Sequence, residues 1–241
     1  MFSNSTQLSP VSLDPLKRNV GLKMVNSSRR KRPMQIYSAL YRGDAHLSKY
    51  GDCKTVYHPT DLTNNNSILI LHGGQDISPS LYNQKPSKET YAEETLSARD
   101  LSEVLLAKRA IELGIPIFGI CRGAQLACAL AGGSLVQHVD GHHTGYHSVK
   151  TKDGEHYNTS TCHHQMMNPS HTEHELIAWS APALSKRYIV EHEKHIKMEL
   201  EPEVVFFPTI KTLAIQGHPE WMPDSAPFVQ YCLKLVEEKL L

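Results

Sequence analysis

From Met34 onward the apolar residues gather in short runs, and the spacing between them changes along the chain. Runs at 34–40 (MQIYSAL), 53–58 (CKTVYH), 67–72 (SILILH) and 115–120 (IPIFGI) read as strands. SILILH and IPIFGI lack polar alternation, as central strands covered on both faces do. Between them, 97–114 (SARDLSEVLLAKRAIELG) has helical spacing. Leu101, Val104, Leu105, Lys108 and Ile111 trace one stripe, with Gly114 as the stop. A second helix-forming segment, 124–131, follows IPIFGI directly.

Strand, helix, strand and helix in that order predict right-handed βαβ units and a parallel sheet. The middle changes character. Strand-like pieces at 134–137, 147–152 and 155–160 follow one another, and Asp153-Gly154 suggests a hairpin between the last two. Further strand signals lie at 174–179, 187–192, 203–207 and 212–216, and 226–240 closes with an amphipathic helix. The expected fold is therefore a three-layer α/β sandwich: a mostly parallel central sheet flanked by helices, with a small β-rich excursion through 134–160.

Composition narrows the class. The 241 residues, 40% hydrophobic and 21% charged, suit a soluble globular chain, and no apolar run approaches the roughly 20 residues that span a bilayer. The net charge of zero hides an asymmetry: residues 1–33 carry seven Lys/Arg against Asp14, leaving 34–241 with 18 bases and 24 acids, a net of −6. The first 33 residues read as a mobile basic tail and 34–241 as one catalytic domain. The RRKR run at 29–32 is a targeting patch or a solvated tail, and the acidic body argues against nucleic acid as a partner. Five irregularly spaced cysteines without a CxxC pair point to a reducing, cytoplasmic setting, with neither a disulfide framework nor a cysteine zinc site.

Three stretches carry candidate chemistry, each at the C-terminal end of an expected strand, where open α/β sheets build their sites. In G-I-C-R-G, 119–123, Cys121 stands between glycines at a strand-to-helix corner. Such a corner holds a nucleophile on a strained turn, and a helix N-terminus favours a thiolate, with Arg122 adding positive potential. Core packing is the competing explanation, because free cysteine is often buried. In LHGGQDISPSLY, 71–82, the diglycine either frees backbone N–H groups to hold an oxyanion or merely ends the strand in a turn. In QGHPEW, 216–221, His218 can serve as a base and Glu220 as the group that orients it.

Together these stretches resemble the class I glutamine amidotransferase family, most of all its gamma-glutamyl hydrolase branch (the gamma-glutamyl-gamma-aminobutyrate hydrolase type, peptidase C26). The resemblance takes in Arg99-Asp100, GIPIFGICRG, LAGGSLVQH at 130–138 and CHHQ at 162–165, and spans roughly 67–221. It implies a triad of Cys121 as nucleophile, His218 as base and Glu220 as its partner. It also implies an oxyanion hole at the backbone N–H groups of Gly74 and Arg122, and a glutamyl pocket lined by Gly73, Gln125, His164 and Gln165.

The implied reaction is hydrolysis of a γ-glutamyl amide through a thioester, with no cofactor. The substrate is glutamine or a γ-glutamyl amine or peptide, and the partners are a separate synthetase taking ammonia, or a second copy of the chain. An inactive binding scaffold is the reading from another class. The chain departs from the branch in having only about 25 residues between the first strand and the strand that leads into the GGQD loop, Ser160-Thr161-Cys162 before HHQ, and Gly217 in place of a bulky ring. All three changes are expected near the substrate mouth.

Fifteen histidines invite a metal, with His138, His142, His143 and His147 clustered. They lack a recognised ligand spacing, so hydrogen-bonded or surface histidines and no metal site are expected. Cys162 neighbours His163 and His164, but successive strand side chains point to opposite faces, which argues against it as the nucleophile. Cys128 reads as packing.

Overall fold

A computed structural model describes residues 34–63 and 65–241, so the expectation of a mobile tail at 1–33 lies outside the described residues. The chain forms Met34–Ala39 (β1), Gly51–Val56 (β2), Ser67–Leu71 (β3), Ala98–Glu112 (α1), Ile117–Ile120 (β4) and Arg122–Leu130 (α2). Two short strands follow, Ser134–Val136 (β5) and His138–Val139 (β6), then the hairpin strands Gly145–Thr151 (β7) and His156–Thr161 (β8). The remainder is Met166–Asn168 (β9), Glu175–Ser180 (β10), Tyr188–Ile189 (β11), Pro202–Phe207 (β12), Thr212–Ile215 (β13) and Pro227–Lys239 (α3).

Nine strands make one sheet in the order β2-β1-β3-β4-β13-β12-β10-β7-β8. From β2 to β13 every pairing is parallel, and from β13 to β8 every pairing is antiparallel. Of the β-rich excursion expected through 134–160, β7 and β8 extend the same sheet as its antiparallel edge. Only β5 with β9 and β6 with β11 pair outside it. The Asp153-Gly154 turn joins β7 to β8, with Gly154 at φ 90°.

Alternation along the strands builds the three layers. Tyr37, Leu69, Ile117 and Ala214 face α1 and α2 on one side, while Ile36, Ile68, Phe118 and Leu213 face α3 on the other. β3 and β4 are buried at every position, as their unbroken apolar runs require. Between β1 and β3 the chain has only β2 and two short 3₁₀ turns, so the segment in which the hydrolase branch carries a helix has no α-helix among the described residues here.

α1 corrects the sequence expectation. Leu101 and Leu105 are about half exposed, and the buried face carries Asp100, Glu103, Val104, Leu106, Ala107 and Ala110. The reason is electrostatic. Arg122, buried at the start of α2, pairs with Asp100 at 2.6 Å and with Glu103, and an unpaired guanidinium there would be prohibitively costly. Asp100 also closes the capping box of α1, accepting from Ser97 N at 3.0 Å. Arg122 therefore supplies no free positive potential to the cysteine; its charge is consumed by two carboxylates.

Removing one partner of this buried network leaves an uncompensated charge. Glu103→Gln should lower unfolding stability by about 3 kcal/mol or more, while Leu105→Ala on the exposed face should change it by about 0.5 kcal/mol or less. Urea unfolding of the two variants checks this; equal effects would contradict the assignment of the buried face.

Candidate functional site

Cys121 leaves β4 and caps α2 with φ 49° and ψ −106°, a strained conformation for a side chain other than glycine. The neighbouring glycines make the corner sterically feasible. A Cβ on Gly123 would lie 2.2 Å from the Leu71 carbonyl oxygen, and one on Gly119 would lie 2.7 Å from that of Gly123. The start of α2 therefore packs directly on the end of β3. Arg122, at the first helical position, has a backbone N–H with no intrahelical acceptor by virtue of its place.

The loop after β3 lies alongside. A Cβ on Gly73 would come within 2.7 Å of the His218 ring and 3.5 Å of Cys121 Cβ, so this loop fills the gap between the two side chains. Arg99 fixes it by donating to the carbonyl oxygens of His72 and Gly73 at 3.1 and 2.9 Å. The same guanidinium lies 4.6 Å from the Tyr41 ring centroid and bonds Glu103 at 3.0 Å. Gly74, at φ 149°, passes too close to Arg99 to carry a side chain.

His218 ends the segment after β13. Its Nδ1 is 2.7 Å from Glu220 Oε1, and its ring stacks on Trp221 with centroids 3.7 Å apart and planes 3° from parallel. Its backbone is pinned on both sides: His218 N donates to Ser160 O at 3.0 Å, and Ser160 Oγ donates to the His218 carbonyl. Burial alone would push the imidazole down, but hydrogen bonds to Cys121 and Glu220, with their negative charge, outweigh it and raise it to about 10.

These groups line a cavity of about 730 Å³ together with His72, Asp76, Cys162 and His164. Tyr41, Tyr91 and Trp221 form its rim, 46%, 82% and 57% exposed. His72 hydrogen-bonds Ser38 Oγ at 2.7 Å, and burial together with the nearby Arg99 charge keeps it below its ordinary value despite Glu220.

The expected site residues divide. Cys121, His218, Glu220, Gly73, Gly74 and His164 meet at the cavity. Gln125 and Gln165 do not line it: both are buried behind, Gln125 Nε2 bonding the Gln165 carbonyl at 3.1 Å and Gln165 Nε2 bonding Thr90 at 2.6 Å. Gly217 is not at the mouth either. It is buried against β8, where a Cβ would meet Thr159 Oγ1 at 2.4 Å, so this strand occupies the space a bulky ring would need.

Cys162 and His164 face the cavity while His163 between them is buried elsewhere, as strand-like alternation predicts. Burial pushes the Cys128 thiol up to about 12, consistent with packing. Asp76 and Trp221 lie within the 71–82 and 216–221 stretches, but nothing in the sequence gives them a role. Asp76 accepts from Tyr91 N at 2.8 Å and pairs with His164 at 3.0 Å, holding the rim to the HHQ segment.

The comparisons with known proteins agree with this architecture. The peptidase C26 family model matches residues 58–196, more than half of the sequence, and the chain belongs to that glutamine amidotransferase-like family. Protein NtpR of Enterococcus hirae is 49% identical over 69 residues, covering 29% of this chain and 28% of that protein. A putative glutamine amidotransferase-like protein of Rickettsia prowazekii is 43% identical over 75 residues, covering 30% of this chain and 25% of that protein. The carbamoyl phosphate synthase small chain of Yersinia pseudotuberculosis is 30% identical over 134 residues, 54% of this chain and 31% of that one. The aligned stretches thus span less than a third of these relatives' own length. A glutamine amidotransferase from Thermotoga maritima superposes with a TM-score of 0.51 at 13% identity, covering 87% of this chain and 86% of that one, and shares the fold. No helix among the described residues is long and apolar enough to cross a membrane.

His218 gives a pH prediction. Its folded value of about 10 lies above the ordinary 6.5, so its pairing stabilises the fold fully below about pH 6.5 and is lost as pH rises toward 10. Denaturant unfolding of wild type should show stability falling across that window, and His218→Asn should flatten the fall. Parallel losses in the two proteins would refute the pairing.

Proposed function

We propose that this chain hydrolyses a γ-glutamyl amide, with Cys121 as nucleophile. The observation that carries the reading is the meeting of Cys121 and His218 on the cavity wall, either side of Gly73, with Glu220 bonded to the imidazole at 2.7 Å. With Nδ1 engaged by Glu220, Nε2 is the nitrogen left for the sulfur.

The thiolate of Cys121 attacks the side-chain carbonyl carbon, and the oxyanion is taken by the backbone N–H groups of Gly74 and Arg122. His218 gives its proton to the departing nitrogen as the C–N bond breaks, leaving a γ-glutamyl thioester and free amine or ammonia. Acylation removes the thiolate that held the imidazole high, so His218 falls toward its ordinary value and becomes a base. It then takes a proton from water attacking the thioester; glutamate leaves and the thiolate returns. Glu220 fixes the tautomer throughout, and Trp221 fixes the plane of the ring.

The leaving amine would lie under the rim of Tyr41, Tyr91 and Trp221, which suits γ-glutamyl amines larger than ammonia. The match to a carbamoyl phosphate synthase small chain favours a second reading, a glutaminase subunit passing ammonia to a separate synthetase.

A panel of glutamine, γ-glutamyl-aminobutyrate and γ-glutamyl peptides separates these readings. The hydrolase reading predicts turnover by the isolated chain and a loss of roughly 10³-fold or more in Cys121→Ala. Turnover appearing only with a synthetase supports the second reading, and equal activity in wild type and Cys121→Ala overturns both.

A further inference from the structure

Away from the cavity, His142 from the loop after β6, His163 from the segment after β8 and Glu203 from β12 converge in the interior. One donor atom from each lies within 4.8 Å of the other two, and all three residues are buried. We propose that they hold a divalent first-row transition ion, zinc in the first instance, as two imidazole nitrogens and one carboxylate oxygen.

The hydrogen bonds around the three residues leave ligand atoms free. His142 Nε2 lies 3.1 Å from Glu201 Oε2; a carboxylate only accepts, so Nε2 carries the proton and Nδ1 presents its lone pair inward. His163 Nδ1 lies 2.9 Å from the Gln165 carbonyl, so it donates there and Nε2 is the bare nitrogen. His147 Nε2 donates to Glu203 Oε1 at 2.9 Å. His142 Nδ1, His163 Nε2 and Glu203 Oε2 are then buried polar atoms without a hydrogen-bond partner. Each ligand thus has an outer partner that orients it, as metal ligands characteristically do.

The spacing favours a cation. His142 Nδ1 stands 3.6 Å from Glu203 Oε1, the oxygen that also accepts from His147, so the bare imidazole nitrogen faces the carboxylate at about the separation of two ligands on one zinc. Glu201, by contrast, is already saturated by His142, Leu184 N, Ser185 N and Tyr188, which leaves Glu203 as the carboxylate with a free oxygen.

The ion would tie together segments that lead on to the cavity wall. His163 precedes the cavity-lining His164, and the Glu203 carbonyl accepts from Gln216 N at 2.8 Å, two residues before His218. Its role is structural, and the proposal stands independently of the hydrolase reading. Sequence spacing could not reveal it, because the ligands come from three separate segments and one is not a histidine.

The test is metal content of the full chain purified without a polyhistidine tag. After dialysis against a weak chelator, wild type and the surface variant His171→Ala should retain about one zinc or iron per chain, elemental analysis telling the two metals apart. Glu203→Gln should retain little, and Glu201→Gln, which keeps all three ligands, should bind about 10–100-fold more weakly. Should these variants fail to fold, stripped wild type still decides: Zn²⁺ should raise its melting temperature by roughly 5 °C or more, and Co²⁺ should give visible ligand-field bands. Metal-free wild type whose melting temperature ignores Zn²⁺, or Glu203→Gln binding as tightly as wild type, overturns the proposal and leaves a protonated histidine–carboxylate network.

Discussion

The arrangement of the candidate site depends on one buried ionic cluster, Arg122 with Asp100 and Glu103, extended by Arg99. Arg122 follows Cys121 directly, so pairing it to α1 fixes the strained corner on which the sulfur stands. Glu103 also grips Arg99, which in turn holds the His72 and Gly73 carbonyls. One carboxylate thereby ties the corner at Cys121 to the loop after β3. Such a cluster is weak as a source of stability but strong as a device for register, because its members tolerate few alternative arrangements. The charges on α1 serve this geometry, which is why that helix buries acids and leaves leucines in solvent.

On this framework the imidazole of His218 becomes the adjustable element. Its backbone is stapled to β8, its ring is clamped by Trp221, and its protonation follows the state of the sulfur beside it. In the proposed reaction the same group is an acid while the thiolate is present and a base once the thiolate is acylated. No second titrating group is needed for that reversal. The environment changes by one negative charge, and the imidazole responds.

Much of this was legible in the sequence, for physical reasons that also explain the failures. Unbroken apolar runs marked β3 and β4, and the motifs at the ends of β3, β4 and β13 marked the cavity. Parallel strands deliver their C-terminal ends to one edge, so the order of motifs carried three-dimensional information. The stripe on α1 was misread because hydrophobicity ranks Leu101 and Leu105 above Asp100 and Glu103, and only the location of Arg122 reverses that ranking. Gln125 and Gln165 are assigned by resemblance, and in the structure Gln125 bonds the Gln165 carbonyl while Gln165 bonds Thr90, neither lining the cavity. Asp76 and Trp221 needed coordinates, since pairing with His164 and stacking on His218 depend on side-chain direction. The hairpin at Asp153-Gly154 is plain from its turn chemistry, whereas the two-residue β6 is too short to leave a periodic trace, and of the strand expected at 187–192 only the two residues of β11 pair.

The central claim is that the sulfur at the β4–α2 corner is the group that bonds to the side-chain carbonyl carbon of a glutamyl substrate. Incubation with a glutamine-analogue electrophile, followed by peptide mass spectrometry, tests it directly. The account predicts one adduct per chain, on Cys121, with Cys162 in the same cavity and the remaining cysteines unmodified. Labelling that falls on Cys162, or a wild-type chain that stays unmodified while correctly folded, would contradict it.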